Sequence, residues 1–204
     1  WADITIRHLV SMSSGLQYNQ HGFLPWNDEP RVYYSLDLRE LAQQTPKAEP
    51  PGVHFHYNNY NLVLLGMILE RITGSPVSSY LQEKIWKPLH MEYSARWLMV
   101  GEDSQLIRGD LGIDARPIDL AKFGALFMNQ GVWEREQIIS NEWIVKSTQP
   151  VDEVSFAEYY SQGADVRSFE KILFPANDGH VSYGYLWWSA SRGEKAYDYW
   201  ALGR

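Results

Sequence analysis

The 204-residue chain has no cysteine, which excludes disulfides, thiolate metal sites and a cysteine nucleophile and leaves the compartment open. It has no long hydrophobic run either. The longest apolar stretch, Leu62 to Leu69, is interrupted by Gly66 and ends at Glu70 and Arg71, far short of the ~20 residues that cross a bilayer. Basic charge is scarce: 18 Lys and Arg stand against 25 Asp and Glu, for a formal charge of -7. The basic residues are also scattered, which excludes a nucleic-acid surface. There is no internal repeat and no low-complexity tract. What the chain does have is apolar and aromatic content, 45% and 14%, enough for the core of one soluble unit and too little length for two. It opens on Trp1 and stops at Ala201-Leu202-Gly203-Arg204, as expected of a piece cut from a longer protein, with any signal peptide lost upstream.

Local patterning predicts a series of helices. Thr5 is placed to cap a short helix, Ile6 to Met12, ended by the turn Ser13-Ser14-Gly15. A second spans Leu38 to Gln44. Residues 45 to 54 carry Pro46, Pro50, Pro51 and Gly52 and form a loop that delivers the chain to Tyr57. From Asn59 to Thr73, Leu62, Leu65, Leu69 and Ile72 make a stripe at helical spacing, so this helix is expected to be buried, with Gly74 as its stop. Ser75 should cap the next helix, with Pro76 in its first turn and Pro88 closing it. Further helices are expected from Pro117 to Asn129, ending at Gly131, and after Ser140. Val181 to Ala190 and Lys195 to Leu202 are aromatic and β-prone, separated by Ser191-Arg192-Gly193-Glu194, and predict a hairpin.

The stretch Pro51-Gly52-Val53-His54-Phe55-His56-Tyr57-Asn58-Asn59, followed by Leu64-Leu65-Gly66, Glu70 and Thr73-Gly74, resembles the Tyr-x-Asn signature of serine hydrolases of the class C β-lactamase and penicillin-binding-protein-like family. The same order is kept elsewhere. Ile4 to Leu16 resembles the segment ending in Ser-Gly-Leu, Ile85 to Met91 resembles Ile-x-x-Pro-Leu-x-Met, Gly112 to Gly131 resembles the segment with Asp119 and Phe123-Gly124, and Tyr183 to Trp188 resembles Tyr-Gly-x-x-Trp-Trp. The subgroup it most resembles is that of esterases and nylon-oligomer hydrolases.

This resemblance implies an α+β, β-lactamase/transpeptidase-like fold, a helical domain beside an antiparallel sheet with the active site between them. Residues 1–204 would be part of one such domain, lacking the nucleophile region and the C-terminal strands. It implies hydrolysis of a small ester, amide or β-lactam-like substrate through a covalent acyl-serine, in a bacterium, periplasmic, secreted or cytoplasmic, without a cofactor. Tyr57 would be the general base. A serine hydroxyl needs one, and a phenol serves only where cations stabilise its phenolate. The family's Ser-x-x-Lys would lie upstream of Ile4 to Leu16, outside this chain. Asn59 resembles the asparagine whose amide bonds the substrate carbonyl and helps to hold that lysine. Gly203-Arg204 resembles the start of the Lys-Thr-Gly strand, with Arg204 at the substrate-binding cation.

Other patterns carry less. Ser168-Phe169-Glu170-Lys171 fits Ser-x-x-Lys, but 17 serines and 7 lysines give about 0.6 such matches by chance, and the family's nucleophile precedes the tyrosine motif. His54 and His56 could share one strand face toward a metal, but no third ligand follows at a recognisable spacing. Trp86 and Trp188 coincide with apolar positions and read as core; Ser13 reads as a turn residue. The alternative to an enzyme is a noncatalytic relative using the same cleft to bind peptide or to regulate. Sequence does not address oligomeric state.

Overall fold

The computed structural model describes residues 1–19, 26–97, 113–151, 153–156, 181–191 and 197–201; Ser168 and Arg204 lie outside them. Seven α-helices are formed by these residues: α1 Ile6–Val10, α2 Asp28–Tyr34, α3 Leu38–Gln44, α4 Asn59–Thr73, α5 Val77–Leu81, α6 Pro117–Met128 and α7 Asn141–Thr148. The strands are short and antiparallel. β1 Arg96–Trp97 pairs with β2 Ile113–Asp114, and β3 Val132–Trp133 with β4 Glu136–Gln137; β5 Ser182–Tyr183, β6 Trp188–Ser191 and β7 Tyr197–Trp200 form a three-stranded sheet in that order.

Caps set most helix ends. Thr5 accepts from the His8 amide at the start of α1, Asp37 from Glu40 at α3 and Ser140 from Trp143 at α7, each satisfying a first-turn N–H that has no helical partner. Gly74 ends α4 in the left-handed region, φ 66°, and its N–H bonds the Glu70 carbonyl. Pro117 starts α6 where its missing N–H costs nothing.

Three expectations need correction. Pro76, not Ser75, is the N-cap of α5, because its backbone is extended (φ -55°, ψ 145°). The chain after α5 does not stay α-helical but widens into a π-helical turn, Gln82–Trp86, with the Lys87 amide bonding the Gln82 carbonyl five residues back. The stretch Val181 to Ala190 is two strands, β5 and β6, joined through Gly184, rather than one arm of a hairpin. The expected hairpin partner is β7, in register Trp188 to Trp200.

Two apolar cores flank α4. The helical one joins Leu9, Leu16, Tyr18, Val32, Leu38 and Ala42 to Tyr60, Val63 and Leu64 of α4. The second, at the junction with the sheet, joins Met12, Phe55, Val154 and Tyr183, with Tyr57, Leu62 and Trp188 packed against it. The expected stripe is therefore not the buried one. Ile72 is 72% exposed, whereas Tyr60 and Val63 are each 1% exposed, because burial follows the N-terminal half of α4, where both cores meet it. α3 is latched to the far half by the Arg39–Glu70 ion pair, 2.8 Å.

Candidate active site

The Tyr57 loop is held by its own backbone. The Phe55 amide bonds the Ser155 carbonyl at 2.9 Å, the Ser155 amide bonds the Val53 carbonyl at 2.9 Å, and the His56 amide bonds the Met12 carbonyl at 2.8 Å. Met12, two residues past the end of α1, sits at φ 53°, a conformation that costs a non-glycine residue energy. It is fully buried and its sulfur accepts from Asn61 Nδ2 at 3.5 Å. Gly15, three residues on, is at φ 70°, and a Cβ there would also run into the Glu49 carbonyl, so the position takes glycine on both counts.

On the other side, Asn58 fixes the entry into α4. Its Oδ1 accepts from the Tyr60 amide at 2.9 Å and its Nδ2 donates to the Leu16 carbonyl at 3.0 Å, with 1% of its surface exposed. Asn58 is thus both the N-cap of α4 and a clamp on the Leu16 carbonyl.

Between these anchors the half-buried Tyr57 ring lies against the sheet. It stacks on Trp188 and meets Tyr183 edge-on, centroids 6.2 Å apart at 89°, while Tyr183 and Trp188 face each other across β5 and β6 at 5.0 Å and 86°. Tyr183 is 3% exposed. Burial pushes its phenol well above the usual tyrosine range, and negative charge on Tyr57 would push it further. Tyr183 is consequently held neutral as packing for Tyr57.

Asn59, the first residue of α4, faces different partners. Its Nδ2 donates to the Tyr18 hydroxyl at 3.2 Å and to Glu29 Oε2 at 3.4 Å; Tyr18 itself donates to Glu29 Oε2 at 2.7 Å, and Tyr33 to Glu29 Oε1 at 3.3 Å. The structure brings Tyr57 and Asn59 to the two ends of one N-cap but gives them separate neighbours. Sequence reasoning missed Met12, Glu29 and the whole of α2. The signal was there: Asn27, Asp28, Glu29 and Pro30 in succession are a helix start.

His54 bonds Glu49 at 2.6 Å, and no group of three His, Asp or Glu among the described residues is placed to hold a metal. Trp86 is not core packing: its indole donates to the Tyr93 carbonyl at 2.9 Å, and it lines a cavity of about 430 Å³ with Leu81, Met91, Tyr93, Arg96 and Trp97. No helix is long and apolar enough to cross a membrane among the described residues.

Comparisons with known proteins agree with this architecture. A structure of a candidate 6-aminohexanoate-dimer hydrolase from Bacillus anthracis aligns over 98% of the chain and 50% of its own length, with a TM-score of 0.74 and 23% identity. A penicillin-binding protein from Bacillus halodurans aligns over 93% of the chain and 59% of its own, with a TM-score of 0.62 and 19% identity. The fold is thus β-lactamase/transpeptidase-like, α+β as the resemblance implies. In sequence, a candidate D-alanyl-D-alanine carboxypeptidase of Escherichia coli is 34% identical over 55 residues, 27% of this chain and 13% of that protein. The chain spans about half the length of the first of these structural neighbours. The beta-lactamase family model matches residues 1–158, and the chain belongs to the beta-lactamase family.

Proposed function

We propose that this chain carries the tyrosine arm of a serine hydrolase, class C β-lactamase-like in mechanism, that cleaves an ester or amide bond through a covalent acyl-serine. The observation that carries the proposal is the fixing of Tyr57: its loop is tied to Met12 and Ser155 and its ring is set against Trp188 and the buried Tyr183. In the proposed cycle the Tyr57 phenolate takes the proton of the serine hydroxyl as the serine oxygen bonds the carbonyl carbon. That proton passes to the departing alcohol or amine. Tyr57 then takes a proton from water as water attacks the acyl-serine, and serine leaves with a proton restored. Relatives named as a carboxypeptidase and a 6-aminohexanoate-dimer hydrolase support an amide or ester substrate, with Arg204 proposed to bind it.

The test is the protein expressed from the longest open reading frame encoding the chain, assayed on chromogenic esters and β-lactams. Tyr57→Phe is expected to lower kcat about 10²- to 10⁴-fold, the usual contribution of a general base, with little change in KM. Turnover untouched by Tyr57→Phe overturns the assignment, and tight peptide binding without any turnover favours the noncatalytic reading.

A further inference from the structure

The Glu29, Tyr18 and Asn59 cluster allows only one direction of donation. Glu29 is a carboxylate 8% exposed, at the start of α2, and no Lys or Arg among the described residues pairs with it. Its two oxygens accept from Tyr18, Tyr33 and the Asn59 amide. Since Tyr18 spends its proton on Glu29, its oxygen can meet Asn59 only as an acceptor. Both contacts of the Asn59 amide are therefore made by nitrogen, and a flipped amide would set its oxygen against the carboxylate. Asn59 Oδ1 makes no hydrogen bond with any described residue, although Asn59 is only 5% exposed.

We propose that Glu29 and Tyr18 are positioning residues that lock the Asn59 amide in this sense, so that Asn59 meets the reaction as a hydrogen-bond acceptor. Its partner in the site must then carry an N–H: an ammonium, or the amide N–H of a substrate. The amide nitrogen, which would bond a substrate carbonyl, is committed to Glu29. This rests on the hydrolase reading above and deepens it. It assigns to α2, which contributes no motif, the task of orienting the third residue of the tyrosine motif.

Glu29→Leu removes the acceptors at similar size, whereas Glu29→Gln can keep an oxygen toward Tyr18 and Asn59 and turn its nitrogen to the Tyr33 hydroxyl. In ¹⁵N-asparagine-labelled protein, the Asn59 side-chain protons should exchange slowly in the wild type, lose that protection in Glu29→Leu and regain it in Glu29→Gln. In the hydrolysis assay Glu29→Leu should lower kcat by about 100-fold, the cost of misplacing a group by an ångström, with KM nearly unchanged, and Glu29→Gln should restore most of it. If Glu29→Leu fails to fold, Tyr18→Phe, which deletes one acceptor, should move both readouts the same way. Asn59 protons unprotected in the wild type, or Glu29→Gln as damaging as Glu29→Leu, overturn the proposal. The exchange experiment needs no turnover, so it fails separately from the Tyr57→Phe test.

Discussion

Tyr57 and Trp188 lie nearly parallel, ring centroids 5.9 Å apart with 17° between their planes. This stack couples the loop in front of α4 to the middle strand of the sheet. Trp188→Ala should therefore loosen the motif as well as the core. A loss of about 3 kcal/mol, the low end for an aromatic deletion at a core site, is expected in urea unfolding, with Trp188→Phe recovering more than half.

Two glycines should respond with opposite signs. A Cβ on Gly184, at the turn from β5 to β6, would lie 2.6 Å from the Ser147 carbonyl oxygen and hard against that of Gln149. One on Gly66, inside α4, meets nothing nearer than a Val77 methyl at 3.9 Å. Gly184→Ala should cost about 2 kcal/mol or more through backbone displacement. Gly66→Ala should stabilise by about 0.5–1 kcal/mol, the helix-interior difference between the two residues. Thermal melts of the pair decide it.

Asn58→Ala removes the α4 cap and strands the buried Leu16 carbonyl. About 2 kcal/mol should be lost, a cap plus an unmet acceptor. Asn58→Asp keeps the cap but not the donor and should fall between the two.

Stability should decline at alkaline pH. Burial first, then the charge of Asp28 and its hydrogen bond, raise the Tyr60 phenol; burial raises Tyr183. For each the folded-state pKa lies above the unfolded value of about 10, so the folded form holds its proton more tightly. The stabilisation is complete below pH 10 and is lost as pH climbs from there toward the folded pKa, by up to about 1.4 kcal/mol per pH unit for each group. A denaturation midpoint that is flat from pH 8 to 9.5 and falls by pH 11, less steeply in Tyr183→Phe, is the expected result.

The 204-residue chain by itself is expected to hydrolyse no chromogenic ester, because its one Ser-x-x-Lys match, Ser168 to Lys171, follows the tyrosine motif instead of preceding it. Steady turnover abolished by Tyr57→Phe would show that this chain suffices.

Local chemistry was legible in the sequence wherever one residue sets a boundary. Thr5, Ser140, Gly74 and Pro117 each end or start a helix for reasons contained within four residues, and α3 and α4 fall where patterning puts them. The buried face of α4 was not legible from hydrophobicity, because three of its five buried residues are Asn59, Tyr60 and Asn61, which are buried with hydrogen-bond partners. Ser14 donates to Asn61 at 2.7 Å, and Tyr60 to Asp28 at 2.9 Å. Tyr57 was visible through its motif, but its surroundings were not. Met12, Glu29 and Trp188 reach it or its neighbours across long stretches of chain, and no local pattern encodes that meeting.

The ties on the Tyr57 loop also bear on the order of folding. His54 bridges Ser155 in parallel, about 100 residues away, and such a closure costs chain entropy before any contact rewards it. Capped locally by Asn58, α4 can form early, whereas the arm carrying Tyr57 must wait for the chain around Ser155 to arrive. Substitutions such as Phe55→Leu should accordingly speed unfolding far more than they slow refolding, so that the arm carrying Tyr57 is late to set and early to open.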